Sequence, residues 1–254
     1  MADFNVNHIT GKQGQQGTVL AGVTTVSSTG SMRIPSGLTQ YRGGRGRGIF
    51  AGGNPGSNVI QFITISTTGN SEDFGDLTQA RSAPATASSS IRGIRAGGNP
   101  NTDTIDYITI SEKGNAVDFG NLTQARRQFG GCSNGSRGVF FGGLTPSPAP
   151  HSSKIIDYVT IATIGNAISF GDLIIGAQAN TAASDPTRGL VFGVRDNANS
   201  VNYNTIQYVT IATTGDAQDF GDISVARYAV ASLASSTRAI TAGGYDASTY
   251  YNII

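Results

Sequence analysis

Three copies of the tripeptide Asp-Phe-Gly are the most chemically suggestive feature of the sequence. They begin at Asp73, Asp118 and Asp219, and the same tripeptide binds magnesium in protein kinases. The catalytic-loop motif and the glycine-rich nucleotide loop that accompany it in kinases do not occur in this sequence. We therefore predict a structural role, with Phe between neighbouring elements, Gly in a bend and Asp capping backbone N–H groups.

Residue types that commonly perform catalysis or bind metals are scarce. The chain has two histidines, two glutamates and one cysteine, Cys132, and its aspartates are spread along the chain. Glycoside hydrolysis needs two neighbouring carboxyl groups, and the common calcium loop needs closely spaced oxygen ligands. We therefore expect no enzymatic activity, no metal and no cofactor, and we predict that Cys132 is a small buried residue.

Arginines recur at two regular positions. If the arginines lie at equivalent positions around the axis of a ring, they would line a central channel that binds anions. The alternative, which we favour, is that they pair with Asp76, Asp172 or Asp222 and with loop carbonyls. The arginines of the two sets are Arg81, Arg126 and Arg227, and Arg92, Arg137, Arg188 and Arg238.

Two glycine-rich segments near the N-terminus have possible binding roles. Residues 42–48 resemble the Arg-Gly-Gly box of RNA-binding proteins, but the segment is a single short copy. We favour a structural turn, or a charged patch that faces a partner, and expect no nucleic-acid partner. Residues 11–17 have glycine at every third position without the prolines of collagen, so we predict a flexible arm.

The elements that position these residues form an internal repeat. The segment 60–65 recurs at 105–110, 156–161 and 206–211, and each copy is followed by Gly-Asn or Gly-Asp and then Phe-Gly. The phenylalanines are separated by 45, 51 and 50 residues: Phe74, Phe119, Phe170 and Phe220. This period is that of one blade of a β-propeller.

The other half of the repeat reads Arg, a few apolar or small residues, and Gly-Gly. It occurs five times, once in degenerate form at 188–194, whereas the Phe-Gly half occurs four times. Residues 252–254 align with 58–60, so the fifth unit begins a third strand and lacks a fourth. Residues 32–42 end like 77–81 and are predicted to supply that fourth strand, which would close five blades of about four strands.

Within one unit we predict strands at 128–133, 137–141, 155–161 and 167–170. The first unit is short, with nine residues between Arg42 and Gly52 against 15 between Arg81 and Gly97, so one strand there is predicted to be missing or reduced. The longest variable loops, 144–154 and 195–205, lie between second and third strands. Loops on a regular scaffold are where binding usually occurs.

The composition supports an all-β fold. Glycine occurs 35 times, lysine three times and charged residues make up 13% of the chain, so strong polar helix formers are nearly absent. The net charge of +1 gives no general attraction to nucleic acid or anionic membranes. No apolar stretch approaches the roughly 18 residues of a membrane span, and residues 1–10 lack a signal-peptide pattern.

The repeat resembles the kelch motif, with Gly-Gly, a spaced pair of aromatic residues and Ala-Arg. Phe stands where kelch units carry Trp, and the spacing between the aromatic residues is longer. This resemblance, over residues 32–254, implies a kelch-like β-propeller and says little about function. Kelch-type propellers include enzymes, so a propeller enzyme is the least favoured alternative.

The units at 156–167 and 206–220, behind a Gly-Lys-Gln-Gly leader, resemble proteins encoded by marine tailed phages. Those proteins are regarded as virion structural components of the tail-fibre or appendage type. The resemblance implies a non-enzymatic protein located in the virion. It leaves open whether the chain is in the head or the tail, and whether it is multimeric there.

The resemblance implies two domains, an N-terminal anchoring arm over 1–31 and a propeller over 32–254. We predict that the arm and the basic segment bind other virion proteins of the capsid or tail, and that the loops contact partners or a host-surface glycan. The alternative function is a carbohydrate-binding host-adhesion lectin. The predicted partner-binding residues are Phe4, Val6, Ile9, Lys12, Val19, Leu20 and Arg45, and the predicted loop contacts are Pro146, Pro148, His151, Tyr203 and Tyr250.

Overall fold

Small antiparallel sheets make up the computed structural model, which describes residues 25–26, 32–33, 46–146 and 152–254. Every regular element in these ranges is a strand, so the all-β prediction is confirmed. The described part of the chain has no helix that is long and apolar enough to cross a membrane. The chain divides into two compact units, Met1–Arg42 and Gly43–Ile254.

In the first unit the structure describes one short antiparallel pair. Strand β1 (Thr25–Val26) pairs with β2 (Met32–Arg33), and Val26 is opposite Met32. β1 lies inside the segment that the sequence assigned to the arm. The predicted contact residues Phe4, Val6, Ile9, Lys12, Val19, Leu20 and Arg45 lie outside the described residues.

The first two sheets of the second unit differ by one strand. The first sheet has three strands in sequence order, β3 (Arg47–Ala51), β4 (Ser57–Thr64) and β5 (Glu72–Arg81). The second sheet has four, β6 (Ala85–Ser88), β7 (Arg92–Ala96), β8 (Thr102–Thr109) and β9 (Val117–Arg126). The equivalent of β6 would fall within residues 34–45, which lie outside the described residues, so the expectation of a missing or reduced strand in the short first unit stays a prediction.

The third and fourth sheets repeat the four-stranded order. The third sheet consists of β10 (Gly130–Ser133), β11 (Arg137–Phe141), β12 (Ile155–Thr160) and β13 (Ile168–Asp172). The predicted strands agree with these to within two residues at each end, which is the ordinary uncertainty of strand boundaries.

The fourth sheet consists of β14 (Thr181–Ser184), β15 (Arg188–Phe192), β18 (Thr205–Thr210) and β19 (Gln218–Asp222). Its long loop folds into a hairpin of β16 (Val194–Asp196) and β17 (Val201–Tyr203). The loop predicted at 195–205 is therefore largely ordered as strands.

The fifth sheet is a pair, β20 (Ala231–Ala234) and β21 (Ala239–Ala242). After it, the Gly243 amide donates to the Ile253 carbonyl at 2.9 Å. This bond is equivalent to the one from Gly97 to Thr104 at 3.0 Å, which aligns β7 with β8. Ile253 therefore makes the first bond of a third strand, although no strand is assigned to residues 251–254.

The hydrophobic core lies between successive sheets rather than inside any one of them. Four buried clusters fill the four interfaces, and each combines side chains of two neighbouring sheets. In the cluster between the second and third sheets, Phe119 of the second sheet packs with Val159 and Ile161 of the third. Such an array is stabilised mainly by contacts between neighbours.

The first strands of the second to fifth sheets carry small residues and lie side by side. Just before them a series of backbone bonds connects one sheet to the next. The Gln128 amide donates to the Ala83 carbonyl at 2.9 Å, and the Ala179 amide donates to the Gln128 carbonyl at 2.8 Å. The series ends at Ala229, and all four residues have φ between 49° and 56°.

Candidate functional site

Each junction between successive sheets joins the Phe-Gly pair of one sheet to the Gly-Asn or Gly-Asp turn of the next. At the first junction the Gly114 amide donates to the Phe74 carbonyl at 2.8 Å. The Ala116 amide donates to the Asp76 carbonyl at 2.7 Å. Equivalent bonds recur at the next two junctions, and the three phenylalanines are at most 3% exposed: Phe74, Phe119 and Phe170.

The predicted packing of Phe between neighbouring elements is confirmed for the Asp-Phe-Gly copies at 73 and 118, whereas Phe220 of the third copy is 50% exposed. Gly75 has φ of 146°, and a Cβ there would lie 2.4 Å from the Gly114 carbonyl oxygen, so only glycine fits this close approach. Capping by the aspartate occurs at Asp219, whose Oδ1 accepts the Gly221 amide at 3.1 Å.

Buried ion pairs cross the first two junctions. Arg81 pairs with Asp106, and Arg126 Nη2 lies 2.8 Å from Asp157 Oδ2. All four side chains are at most 1% exposed. Burial lowers the pKa of the Arg81 and Arg126 guanidinium groups, and the facing carboxylates oppose that shift.

The favoured prediction, that these arginines pair rather than line an anion channel, is therefore confirmed for Arg81 and Arg126. The predicted partners were wrong. Asp76, Asp172 and Asp222 lie in fourth strands, whereas the observed partners lie in the third strand of the following sheet, beside a bulge of the ladder. The bulge turns an aspartate toward the preceding sheet.

At the third junction both charges are absent. Ala177 stands at the arginine position and Gln207 at the aspartate position. Gln207 is fully buried, and its Oε1 accepts the Ile174 amide at 2.7 Å and the Ile175 amide at 3.1 Å. The two positions therefore change together within one chain, and a buried unpaired charge is avoided.

The second arginine set joins the sheets through carbonyl groups. Arg92 Nη1 donates to the Ile161 carbonyl at 2.9 Å, and Arg137 Nη1 donates to the Ile211 carbonyl at 3.0 Å. Arg47 makes the same bond to Ile110 at 2.7 Å, which confirms a structural role for this arginine of the glycine-rich segment. Each guanidinium also lies over an aromatic ring of its own sheet.

The face of the fourth and fifth sheets that follows these junctions is uncovered. Phe220 is 50% exposed, and a Cβ on Gly221 would meet nothing within 4 Å. Arg227 is 1% exposed, and its Nε has no partner among the described residues. We call Phe220, Gly221 and Arg227, with the exposed Leu233 and Ile240, the C-terminal face.

The loops of the third, fourth and fifth sheets form one connected surface. Ser152 Oγ accepts the Asn197 amide at 2.8 Å, and Asn202 Nδ2 donates to the Asp246 carbonyl at 3.0 Å. Arg195 lies 4.5 Å from the centroid of the Tyr228 ring. The hairpin β16–β17 is therefore held between the loops of its two neighbours.

Three tyrosines form an aromatic patch on this surface. Tyr228 meets Tyr245 edge to face at 5.6 Å between centroids, and Tyr245 stacks on Tyr250 at 4.7 Å. Tyr250 is 84% exposed, so its other ring face is open to solvent. We call Tyr228, Tyr245 and Tyr250 the tyrosine patch, and it is the candidate binding site.

Asp246 organises the loop that carries Tyr250. Its Oδ1 accepts the Ser248 and Thr249 amides at 2.9 and 2.7 Å, and its Oδ2 accepts the Tyr251 hydroxyl at 2.6 Å. These bonds, led by that of Tyr251, hold the pKa of Asp246 well below its usual range and raise the pKa of Tyr251. Both carboxylate oxygens are therefore engaged within the loop.

A cavity of about 440 Å³ is lined by β3 together with the first strands of the other sheets. Among its described lining residues the one carboxylate is Asp106, which is held by Arg81. Cys132 also lines it, and burial raises the pKa of the thiol to about 12. This confirms the prediction that Cys132 is a buried residue, and such a thiol is a poor nucleophile.

The structure describes three of the five predicted loop contacts. Tyr250 lies in the tyrosine patch, and Tyr203 is half-buried against the apolar cluster between the third and fourth sheets. Pro146 is exposed, whereas Pro148 and His151 lie outside the described residues.

Sequence reasoning missed Tyr228, Tyr245 and Arg195. The available signal was the repeat itself, because Tyr228 and Tyr245 flank the fifth Gly-Gly unit at positions where the other units carry non-aromatic residues.

Comparison with known proteins does not extend these observations. No protein-family model matches the chain, and no curated protein matches its sequence.

Proposed function

We propose that the second unit belongs to a kelch-like β-propeller of five blades, closed by an N-terminal strand within residues 32–42. Three complete four-stranded sheets that share one order, with their first strands side by side, support this proposal. The three-stranded first sheet and the two-stranded fifth sheet would contribute to the remaining blades. Ring closure would remove free sheet edges that otherwise invite aggregation.

We further propose that the protein is a non-enzymatic structural component of a tailed-phage virion. Its N-terminal arm would attach the propeller to other virion proteins, and its loops would contact the assembly or the host surface. The observation that carries the proposal is the tyrosine patch on connected loops. An exposed, rigid aromatic group on a stable scaffold is typical of a contact surface.

Purified particles test this role directly. A tagged chain produced during phage growth should sediment with particles at a fixed copy number. The double variant Phe4→Asp/Ile9→Asp should fold normally and be lost from particles, because charge would disrupt an apolar anchor. The matched control Asn5→Asp should be retained.

Absence of the wild-type chain from particles would contradict the virion role. Normal incorporation of the double variant would contradict the arm as anchor while leaving the virion role in place.

A carbohydrate-binding lectin is the second candidate, and the open face of Tyr250 favours it. Aromatic rings supply a large apolar contact with little loss of conformational entropy, and nearby polar groups then orient the ligand. Asn202 and Arg195 are polar side chains of the same connected surface, and Arg195 lies over the ring of Tyr228.

A glycan array separates the two candidates. If the protein is a lectin, the wild-type protein should bind a defined set of glycans and Tyr250→Ala should lose at least about tenfold in affinity, a loss typical of a hot-spot aromatic residue. Phe50→Ala, which removes a 57% exposed aromatic side chain in the first sheet, is the matched control and should bind normally. Absence of binding to every host glycan would contradict the lectin.

A further inference from the structure

An additional arginine distinguishes the first junction from the second. Arg95 in β7 stands at the repeat position that Phe140 occupies in β11. In its own sheet Phe140 is opposite Asp157. Arg95 is likewise opposite Asp106. Beside its ion pair the first junction therefore has a charged side chain where the second junction has an aromatic ring.

The charge of Arg95 is buried and shares its counter-charge with another arginine. Arg95 is 4% exposed, and the carboxylate opposite it, Asp106, already pairs with Arg81. The Nε and Nη1 atoms of Arg95 have no partner in the described part of the chain. Burial, and then the charge of Arg81, lower the pKa of Arg95 to about 10, and Asp106 opposes this shift only in part. At neutral pH this group therefore has two guanidinium charges and one carboxylate.

A packing role explains one hydrogen bond of Arg95 and leaves its charge unexplained. Arg95 Nη2 donates to the Arg81 carbonyl at 2.9 Å. At the third junction Asn180 Nδ2 makes the equivalent bond to the Ala177 carbonyl, at 3.0 Å. A neutral amide therefore satisfies this carbonyl, and the repeat does not require a cation here. An unpaired buried charge is costly, so an external counter-charge at Arg95 would be favourable.

Arg95 also lines the cavity of about 440 Å³. Arg47 adds a second cation to the wall, and Thr86, which is directly opposite Arg95 on β6, adds a hydroxyl group. Much of the remaining wall consists of aliphatic side chains, among them Ile49 and Ile94. A cavity of this volume, with aliphatic walls and a few polar groups, is the usual form of a small-molecule site.

We propose that this cavity binds a small organic carboxylate, whose charged group faces Arg95 and whose apolar part contacts the aliphatic wall. One carboxylate supplies the counter-charge that Arg95 lacks, and the Thr86 hydroxyl would be a further donor to it. Phosphate or chloride would supply charge but no apolar part for the wall. The site shares no residue with the tyrosine patch and does not depend on the virion role.

Isoleucine methyl groups can report where a ligand binds. Ile49 and Ile94 line the cavity, whereas Ile164 is 58% exposed and is not part of its wall. Benzoate is a suitable probe, because its aromatic ring shifts the NMR signals of the methyl groups that it contacts. In the full-length protein, benzoate should shift the Ile49 and Ile94 signals saturably and leave Ile164 unchanged. Absence of saturable shifts at Ile49 and Ile94 would overturn the proposal.

A comparison of anions tests the chemistry of the ligand. At constant ionic strength, benzoate should raise Tm saturably, because a ligand that binds only the folded state stabilises it. Phosphate and chloride at the same concentration should raise Tm less. An equal rise with all three anions would indicate a general effect of charge, and a larger rise with phosphate or chloride would indicate a site for an inorganic ion. Either result would overturn the carboxylate site.

Substitution of Arg95 tests its role as the cation of the site. Arg95→Met keeps an unbranched side chain and removes the charge, so it should lower the affinity for benzoate at least about tenfold. Arg95→Lys keeps the charge and should retain part of the affinity. The matched control Arg238→Met makes the same change at an exposed position outside the cavity and should bind as the wild-type protein does. Unchanged affinity of Arg95→Met, or an equal loss in Arg238→Met, would contradict the role of Arg95.

Cooperative thermal unfolding confirms that each variant is folded. The methyl shifts are measured on the wild-type protein, so they test the site even where Arg95→Met is too unstable to purify. All these measurements use the isolated protein. Their failure would therefore leave the virion and lectin proposals untouched, and absence of the chain from particles would leave the carboxylate site untouched.

Discussion

The second junction and the C-terminal face are built from the same repeat and differ in what covers them. At the junction Phe119 is 1% exposed and Arg126 faces Asp157. At the C-terminal face Phe220 is 50% exposed, and the Nε of Arg227 has no partner in the described part of the chain. The difference teaches that each unit completes its core only with the third strand of the next unit, as in other repeat arrays.

The largest expected effect comes from removing the junction aromatic ring. Phe119→Ala should lower the free energy of unfolding by about 3–5 kcal/mol, because it leaves a cavity between two sheets. Phe220→Ala, the matched substitution at the half-exposed site, should cost about 1–2 kcal/mol. Urea denaturation measures both, and equal costs would show that the two faces are equally covered.

Breaking the ion pair should have the next largest effect. Asp157→Asn leaves Arg126 buried without its counter-charge and should cost about 3 kcal/mol. The double variant Arg126→Ala/Asp157→Gln copies the third junction, where Ala177 and Gln207 occupy these positions, and should recover most of that loss.

The comparison needs the single variant Arg126→Ala as a control. If the double variant is no more stable than Asp157→Asn, then the combination of Ala and Gln seen at Ala177 and Gln207 does not replace the ion pair at the second junction. Thermal unfolding, monitored by circular dichroism, ranks the stabilities of the wild-type protein and the three variants.

Alanine substitution at Gly120 and Gly221 should separate the cost of a steric contact between sheets from the cost of backbone strain, and the expected difference in stability is smaller than those above. Gly120 and Gly221 have φ of 140° and 133°, so alanine strains both backbones similarly. At Gly120 the new Cβ would also lie 2.6 Å from the Gly165 carbonyl oxygen, whereas at Gly221 it meets nothing within 4 Å. Gly120→Ala should therefore be less stable than Gly221→Ala by about 1–2 kcal/mol.

Urea denaturation of Gly120→Ala and Gly221→Ala tests this prediction. Equal destabilisation by the two alanine substitutions would mean that strain alone requires glycine, and that the contact between sheets adjusts at little cost.

The smallest expected effect is confined to the loop of the tyrosine patch. The folded-state pKa of Asp246 lies below its unfolded value, so its contribution is present above the unfolded pKa near 4 and is lost as pH falls. Hydrogen exchange at the Ser248 and Thr249 amides should be slow at pH 6 and accelerate relative to intrinsic rates in acid.

Asp246→Asn should remove that pH dependence without changing Tm. A pH-independent loop in the wild-type protein would contradict the role of the carboxylate.

Much of the local structure could be predicted from the sequence because the same strand and turn pattern occurs in several copies of the repeat. Nearly continuous runs of Ile, Tyr, Val and Thr predicted the third strands, and the repeat predicted the four-stranded order of the second, third and fourth sheets. The candidate site was harder to predict from the sequence. Tyr250 was predicted, but Tyr228 and Tyr245 lie 17 residues apart in the chain and meet only in the folded protein.

The sequence by itself determined the all-β class and the strand order within a sheet. These features depend on neighbours in the chain, through backbone conformation and alternation. Only the tertiary structure decided that Arg81 pairs with Asp106 rather than Asp76, and that Phe119 is buried while Phe220 is exposed. The physical reason is that burial and charge pairing depend on the next sheet, which a unit's own residues do not specify.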